Sequence, residues 1–434
     1  MAESVIDPRV LKGFRDFLPA QEAPRRAMLE AVETCFRSFG FLPIDTPALE
    51  YAEILLGKGG GETEKQVYRF TDHGGRDVAL RFDLTVPFAR FVAEHRSDLV
   101  FPFKRYHIAK VWRGENTQKG RYREFTQCDF DIVGSNSAAA DFEILFMIKE
   151  SLGAAGAGET TVRINHRALF NRFLDGIGAG DKSVAVLRCV DKLSKIGGDA
   201  VREHLEASAG REQCARILEF INARDEGEYG VVLARLVDLC GEGEDTAYLA
   251  DLHRYLKDSK TGGVVLDPSI TRGLDYYTGV VYETFLDKLP AIGSVCSGGR
   301  YDNLTALYSK EKTGGVGASI GLDRLQAALE ETGAKSAANE KPRAALACLD
   351  EKEAGSAQAA ASVFRAKGIN CEVFFESSKL TRQYILAEKK GIPWVLVKTG
   401  ESFTLRDIRR RRDIEAADAE KAAGIILQNG LLQS

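Results

Sequence analysis

Hydrophobic residues first recur at helical spacing over residues 22–40, where Ala23, Met28, Leu29, Val32, Cys35, Phe36 and Phe39 would form one stripe that Gly40 ends. Short β-rich runs follow. Residues 66–70 and 77–82 flank Gly74-Gly75 and predict a hairpin. A second strand pair, 103–111 and 123–133, is joined by the polar loop 114–120. Residues 138–152 predict a helix and 161–165 a strand. From 170 to 258 Leu, Ala, Glu, Lys and Arg recur with helical period between glycine breaks, which reads as a helical insertion. Strand character returns at 264–286 and 293–298. Residues 332–341 are small and polar and stop at Pro342, which marks a linker. Beyond it, strands 343–349, 370–375 and 394–398 alternate with helices 354–366 and 380–390, a βαβ pattern that predicts a small α/β domain.

The chain has 434 residues, enough for about three domains at roughly 150 residues each. Its 44% apolar and 28% charged residues exclude a disordered, collagen-like or membrane-embedded class. No run approaches the ~18 apolar residues of a spanning helix. The first residues lack the basic and apolar regions of a secretory signal, so the expectation is a cytoplasmic protein. A net charge of −4 argues against a coat for nucleic acid, although local basic patches can still hold one. The eight cysteines and six histidines are dispersed, and no two cysteines stand two to four residues apart. Structural zinc, a redox pair and a disulfide framework are therefore not expected.

Neither a P-loop nor a dinucleotide fingerprint is present. The chemistry concentrates elsewhere. Between Lys104 and Arg123 seven basic residues stand against one acid, Glu115. On a strand, Arg121, Arg123 and Phe125 would share one face. Two guanidinium groups and a ring suit a polyphosphate carried on a flat base. Gln127, Asp129 and Asp131 continue that face, which then either meets water or lines a pocket. Three further segments stand out: 271–279 with Arg272, Tyr276 and Tyr277; Gly298-Gly299-Arg300-Tyr301-Asp302, read as a Gly-Gly turn; and 314–329, where glycine-rich chain runs into a helix whose first turn carries Arg324. Each, taken alone, is compatible with an ordinary turn or a solvated surface.

Together they resemble the histidyl-tRNA synthetases, a family of class II aminoacyl-tRNA synthetases, from about Leu11 to the C-terminus. Residues 12–19 resemble the family's N-terminal signature, 41–47 its dimer-forming motif 1, 113–125 motif 2 and 317–324 motif 3. The runs 272–279 and 298–302 resemble those of the histidine enzyme in particular. The resemblance implies an α+β fold: a class II synthetase-type antiparallel sheet flanked by helices, with a helical insertion and a C-terminal α/β anticodon-binding domain. It implies a catalytic domain over 1–169 and 259–331, an insertion over 170–258, a linker at 332–341 and an anticodon-binding domain over 342–434.

The implied activity is ATP-dependent ligation of L-histidine to tRNA(His) through a histidyl-adenylate, by a cytoplasmic homodimer without membrane contact. Arg113 and Arg272 become the catalytic residues, both at the α-phosphate. Arg121 and Arg324 would hold the β- and γ-phosphates, Glu115 would contact the nucleotide and Phe125 would stack on adenine. Mg²⁺ would bind through the ATP phosphates, with no protein-held metal or zinc. Asp83, Thr85, Gln127, Asp131, Tyr276 and Tyr277 become the histidine site, with Asp83 and Thr85 on one strand face at the ammonium and Asp131 taking a ring N–H. Gln118 and Lys119 would meet the tRNA acceptor end. Arg409 and Arg410 would meet tRNA phosphates, within a segment, 379–413, that carries ten Lys/Arg against four acids. The alternative is a non-catalytic relative, either a regulatory subunit of ATP phosphoribosyltransferase or an uncharged-tRNA sensor. The four arginines 113, 121, 272 and 324, and the C-terminal domain, weigh against it.

Overall fold

The computed structural model describes residues 6–57, 63–271, 276–303, 305–311, 313–333 and 343–431. The chain divides into two compact units, 1–338 and 339–434. Most of the linker expected at 332–341 lies outside the described residues.

The first unit is built on an eight-stranded sheet. Its spatial order is Leu42–Pro43, Phe103–Trp112, Glu124–Val133, Gly315–Gly321, Cys296–Tyr301, Val280–Leu286, Thr160–His166 and Val264–Leu266. All neighbours are antiparallel except the two edge pairs, which are parallel. The strand Glu124–Val133 explains how the sheet is oriented. Its Cys128, Phe130 and Ile132 join Met28, Val32 and Phe36 of helix Pro19–Ser38, and Ile144 and Ile148 of helix Ala138–Ala154, in the main core. Its Gln127, Asp129 and Asp131 alternate with them and so face the other way. The segment 167–258 is helical, from Arg167–Gly176 to Glu244–Asp258, and stacks the rings of Phe170, Phe173 and Phe220.

Several element boundaries differ from the expectation. The first hairpin shortens to Arg69–Thr71 and Asp77–Leu80, with a 3₁₀ turn at Thr63–Gln66. The strand ends at Leu80 because Asp83 accepts the backbone N–H of Val86 at 3.1 Å and starts the helix Thr85–Glu94. Asp83 and Thr85 therefore meet at a helix N-terminus, not on a strand face. Gly298 and Gly299 do not form a turn but lie inside the strand Cys296–Tyr301. In the second unit the order is Asn370–Val373, Arg343–Leu346, Trp394–Thr399, Ser402–Asp407, Arg412–Ala416, the first three parallel and the last two antiparallel. The final hairpin was not expected, since its turn is the run Arg409–Arg411, which reads as a charged stretch, with Arg411 at φ 52°.

All eight cysteines are unpaired, and six of them are buried. A buried polar knot ties the helical segment to the sheet. Asp141 pairs with Arg300 and accepts the hydroxyls of Tyr248 at 2.6 Å and Tyr282 at 3.0 Å. Asp141→Ala leaves the buried Arg300 guanidinium with only the longer Asp302 contact at 3.5 Å, so unfolding free energy should fall by about 3 kcal/mol in a urea titration. Asp251→Ala, which removes an exposed partner of Arg254, should change it by about 1 kcal/mol or less.

Candidate active site

The polar face of the sheet carries an open cleft. Arg113, Glu115, Arg121, Phe125, Gln127 and Arg324 line it, together with Ser297 and Ser319 of neighbouring strands. The arginines come from segments far apart in sequence. Arg113 follows the strand Phe103–Trp112 and donates from Nε to the Phe82 carbonyl at 2.9 Å. Its guanidinium sits 5.1 Å from the centroid of Phe125, within cation–π range. Arg121 lies 3.5 Å from Glu115. Arg324 stands in the first turn of helix Leu322–Thr332 and donates to the Ser294 carbonyl at 2.5 Å. Gly120 backs onto it at φ +71°, and an added Cβ there would come within 3.3 Å of the Arg324 backbone.

Not every expected neighbour joins this group. The strand begins only at Glu124, so Arg121 and Arg123 do not continue its face. Arg123 points instead toward the N-terminal segment, donating toward Glu115 and Lys12 carbonyls. Gln118 is bridged to Arg121, and Lys119 pairs with Glu331 at 2.6 Å. Arg272 lies outside the described residues. Arg409 and Arg410 are exposed in the second unit, described by itself.

Further along the Gln127 strand face is a cluster of buried acids. Asp83, Asp129 and Asp131 are all buried, near Tyr276 and Tyr277. Asp83 accepts the Tyr276 hydroxyl at 3.4 Å, and burial raises its pKa. Asp131 accepts the Tyr301 hydroxyl at 2.6 Å and lies 2.7 Å from Nη2 of Arg105. Arg105 is completely buried over the Phe88 ring. Asp129 is 4.0 Å from the same guanidinium. Burial, opposed by Arg105 but assisted by the charge of Asp131, pushes the Asp129 carboxyl up to about 7. Strand alternation puts Asp129 on this face without a role, Arg105 counts in the sequence only as one of the seven basic residues between Lys104 and Arg123, and Ser319 carries no motif. The register could have found them, because Arg105 opposes Asp131 and Ser319 opposes Asp129 across neighbouring strands.

A fourth buried acid, Asp323, lines the cleft itself. It accepts the backbone N–H of Thr126 at 2.7 Å and pairs with Arg15 at 2.5 Å. Its only local signal is its place next to Arg324.

The antiparallel sheet and the arginines converging on its open face define a class II aminoacyl-tRNA synthetase. The family model for histidyl-tRNA synthetase matches residues 13–325. The chain belongs to that family. It is 54% identical over 398 residues to a histidine–tRNA ligase of Treponema denticola, covering 90% of this chain and 89% of that protein. A histidine–tRNA ligase of Rhodopirellula baltica is 46% identical over 407 residues, 92% of each chain. The crystal structure of histidyl-tRNA synthetase from Nostoc sp. PCC 7120 superposes with a TM-score of 0.85 at 30% identity, covering 98% of this chain and 100% of that one.

The raised Asp129 carboxyl has a stability consequence. With its folded-state pKa raised from the usual 3.8 to about 7, the protonated acid favours the fold at low pH, and that contribution is lost as pH rises from about 4 to about 7. Arg105, Asp131 and Asp83 act on it most directly, His107 opposes it in the sheet, and Arg81, Tyr276, Tyr277, Cys128 and Cys296 also face its charge. Asp129→Asn does not titrate. Its melting temperature relative to wild type should therefore rise from about pH 5 to about pH 7 and then level off, and a difference that stays constant over that range would show that Asp129 carries its charge throughout.

Proposed function

We infer that this chain activates L-histidine with ATP and transfers it to tRNA(His). The observation that carries the reading is the convergence of Arg113, Arg121 and Arg324 on one cleft lined by Gln127, whose strand carries the buried Asp129 and Asp131 on the same face. The histidine carboxylate attacks the α-phosphorus and pyrophosphate leaves. The adenylate then acylates the terminal ribose of the tRNA, and AMP is released. Negative charge develops on the phosphates throughout, so fixed cations and alignment supply the catalysis. Arg113 is assigned to the α-phosphate together with Arg272, Arg121 and Arg324 to the β- and γ-phosphates, Glu115 to the nucleotide and Phe125 to the adenine. Mg²⁺ enters on the ATP phosphates; among the described residues no three His, Cys, Asp or Glu side chains group as metal ligands.

Asp83, Thr85, Gln127, Tyr276 and Tyr277, with Asp131 behind them, are assigned to histidine. Acids outnumber the fully buried guanidinium in this pocket, which favours an incoming ammonium. Gln118 and Lys119 are assigned to the tRNA acceptor end, Arg409 and Arg410 to tRNA phosphates, and 342–434 to the anticodon. Homodimer formation through 41–47 is supported by Leu42, which is 59% exposed beside the buried Phe41. The regulatory-subunit and sensor readings are not favoured, since relatives named as ligases match nearly the whole chain.

Histidine-dependent ATP–pyrophosphate exchange tests the reading directly. Arg113→Ala should lower the exchange rate by about 10²–10³ in a folded protein. A variant with wild-type kinetics would remove Arg113 from the phosphate site. Deleting 342–434 should leave measurable exchange but weaken tRNA charging, and unchanged charging kinetics would exclude an anticodon role for that unit.

A further inference from the structure

The two arginines assigned to the β- and γ-phosphates stand on separate parts of the chain. Arg121 lies in the loop before the strand Glu124–Val133, and its side chain is 37% exposed. Within that loop its backbone is bridged to Gln118, and Glu115 lies 3.5 Å from its guanidinium. Arg324 stands in the first turn of helix Leu322–Thr332. Two such groups hold one polyphosphate only if their separation is fixed, because a displacement of about 1 Å can cost on the order of 10²-fold in rate.

A side chain from the N-terminal segment touches both parts. Arg15 pairs through Nη2 with Asp323 at 2.5 Å, and its guanidinium lies 3.8 Å from the ring centroid of Tyr122 and 4.3 Å from that of Phe17. Tyr122 follows Arg121, Asp323 precedes Arg324, and both line the cleft. Arg15 therefore joins the immediate neighbours of the two phosphate arginines. A planar guanidinium can stack on a ring and pair with a carboxylate at once, which an ammonium does not do. The segment that carries it is itself pinned. The Gly13 carbonyl accepts the N–H of Arg123 at 2.8 Å, and Gly13 has φ +89° with an added Cβ only 2.7 Å from the Arg123 side chain. On the other side, Asp323 takes the Thr126 N–H on its second oxygen, and the buried Arg25 donates to the Thr126 hydroxyl at 2.5 Å while covering Phe17.

We propose that Arg15 is a positioning residue for the nucleotide: it clamps Tyr122 to Asp323 and so sets the spacing of Arg121 and Arg324 around the β- and γ-phosphates. This rests on the histidine-activating function inferred above. The part of ATP that the two arginines hold is the part that leaves as pyrophosphate. The clamp therefore acts on ATP and on pyrophosphate alike, and it leaves the binding of histidine alone. Arg15 does this through the residues it touches and makes no contact with substrate itself.

The test uses the full-length protein in pyrophosphate exchange, with ATP and pyrophosphate varied in turn, and calorimetric titration of L-histidine alone. Coupling through packed side chains changes binding by about 2–30-fold. Arg15→Ala should raise the ATP and pyrophosphate KM together by about 10-fold and leave the histidine Kd within about twofold of wild type. Arg15→Lys keeps a charge facing Asp323 but loses the flat surface on Tyr122, so it should recover part of the loss and stand about 3-fold above wild type. An arginine that serves only the fold would lower the melting temperature and leave both KM values alone. A folded Arg15→Ala with ATP and pyrophosphate KM within about twofold of wild type would overturn the proposal, and where that variant does not fold the same result in Arg15→Lys does so. A histidine Kd that rises as much as the ATP KM also overturns it, because the whole site has then loosened. A wild-type protein without histidine-dependent exchange would instead overturn the functional reading and take this assignment with it.

Discussion

Three carboxylates buried around one fully buried guanidinium impose the constraint on which the first unit turns. A buried acid must be paired or give up its charge. Each of the three resolves this differently. Asp83 sits at the start of a helix and draws on a backbone N–H and a tyrosine. Asp131 takes the guanidinium and a second tyrosine. Asp129 is left with the weaker share and is held near neutrality. That uneven division requires glycine at 317 and 299, a fully covered Arg105 and an apolar reverse face carried by Phe130 and Ile132. Strand alternation delivers both faces from one ten-residue segment.

The fold was legible where local signals agree with the final packing. Helix Ala138–Ala154, the strand pair Phe103–Trp112 and Glu124–Val133, and the helical run after Arg167 all follow from periodicity. It was less legible where a single side chain ends an element. Asp83 stops a strand that hydrophobicity alone would carry to Phe82, and Gly298-Gly299 reads as a turn although the pair lies in a central strand. The second unit's last hairpin hides under four consecutive arginines, because charge masks the turn at Arg411.

The site follows the same rule. Arg113, Arg121, Phe125, Gln127 and Arg324 meet in one cleft, as their motifs suggest. What the motifs do not carry is the partner of each side chain. Arg105 sits in a strand that reads as surface-basic, yet pairing opposite Asp131 takes it into the interior. Asp323 precedes the conspicuous Arg324, but its bonds to Thr126 and Arg15 cross 197 and 308 residues of sequence. Contacts of that separation are set by sheet order, which no local pattern encodes.

The unpaired cysteines give this chain a built-in clock for its own opening. Cys128 and Cys296 lie in the central sheet, and burial raises both thiols well above their usual range. Cys371 is buried in the second unit, its thiol pushed up to about 11. A thiol in that state reacts slowly until its surroundings part and the thiolate can form. The speed at which each is alkylated in native buffer therefore measures local unfolding, separately for each unit. Because Cys296 also borders the cleft, slower labelling in the presence of substrate would register how firmly a bound ligand clamps the sheet shut.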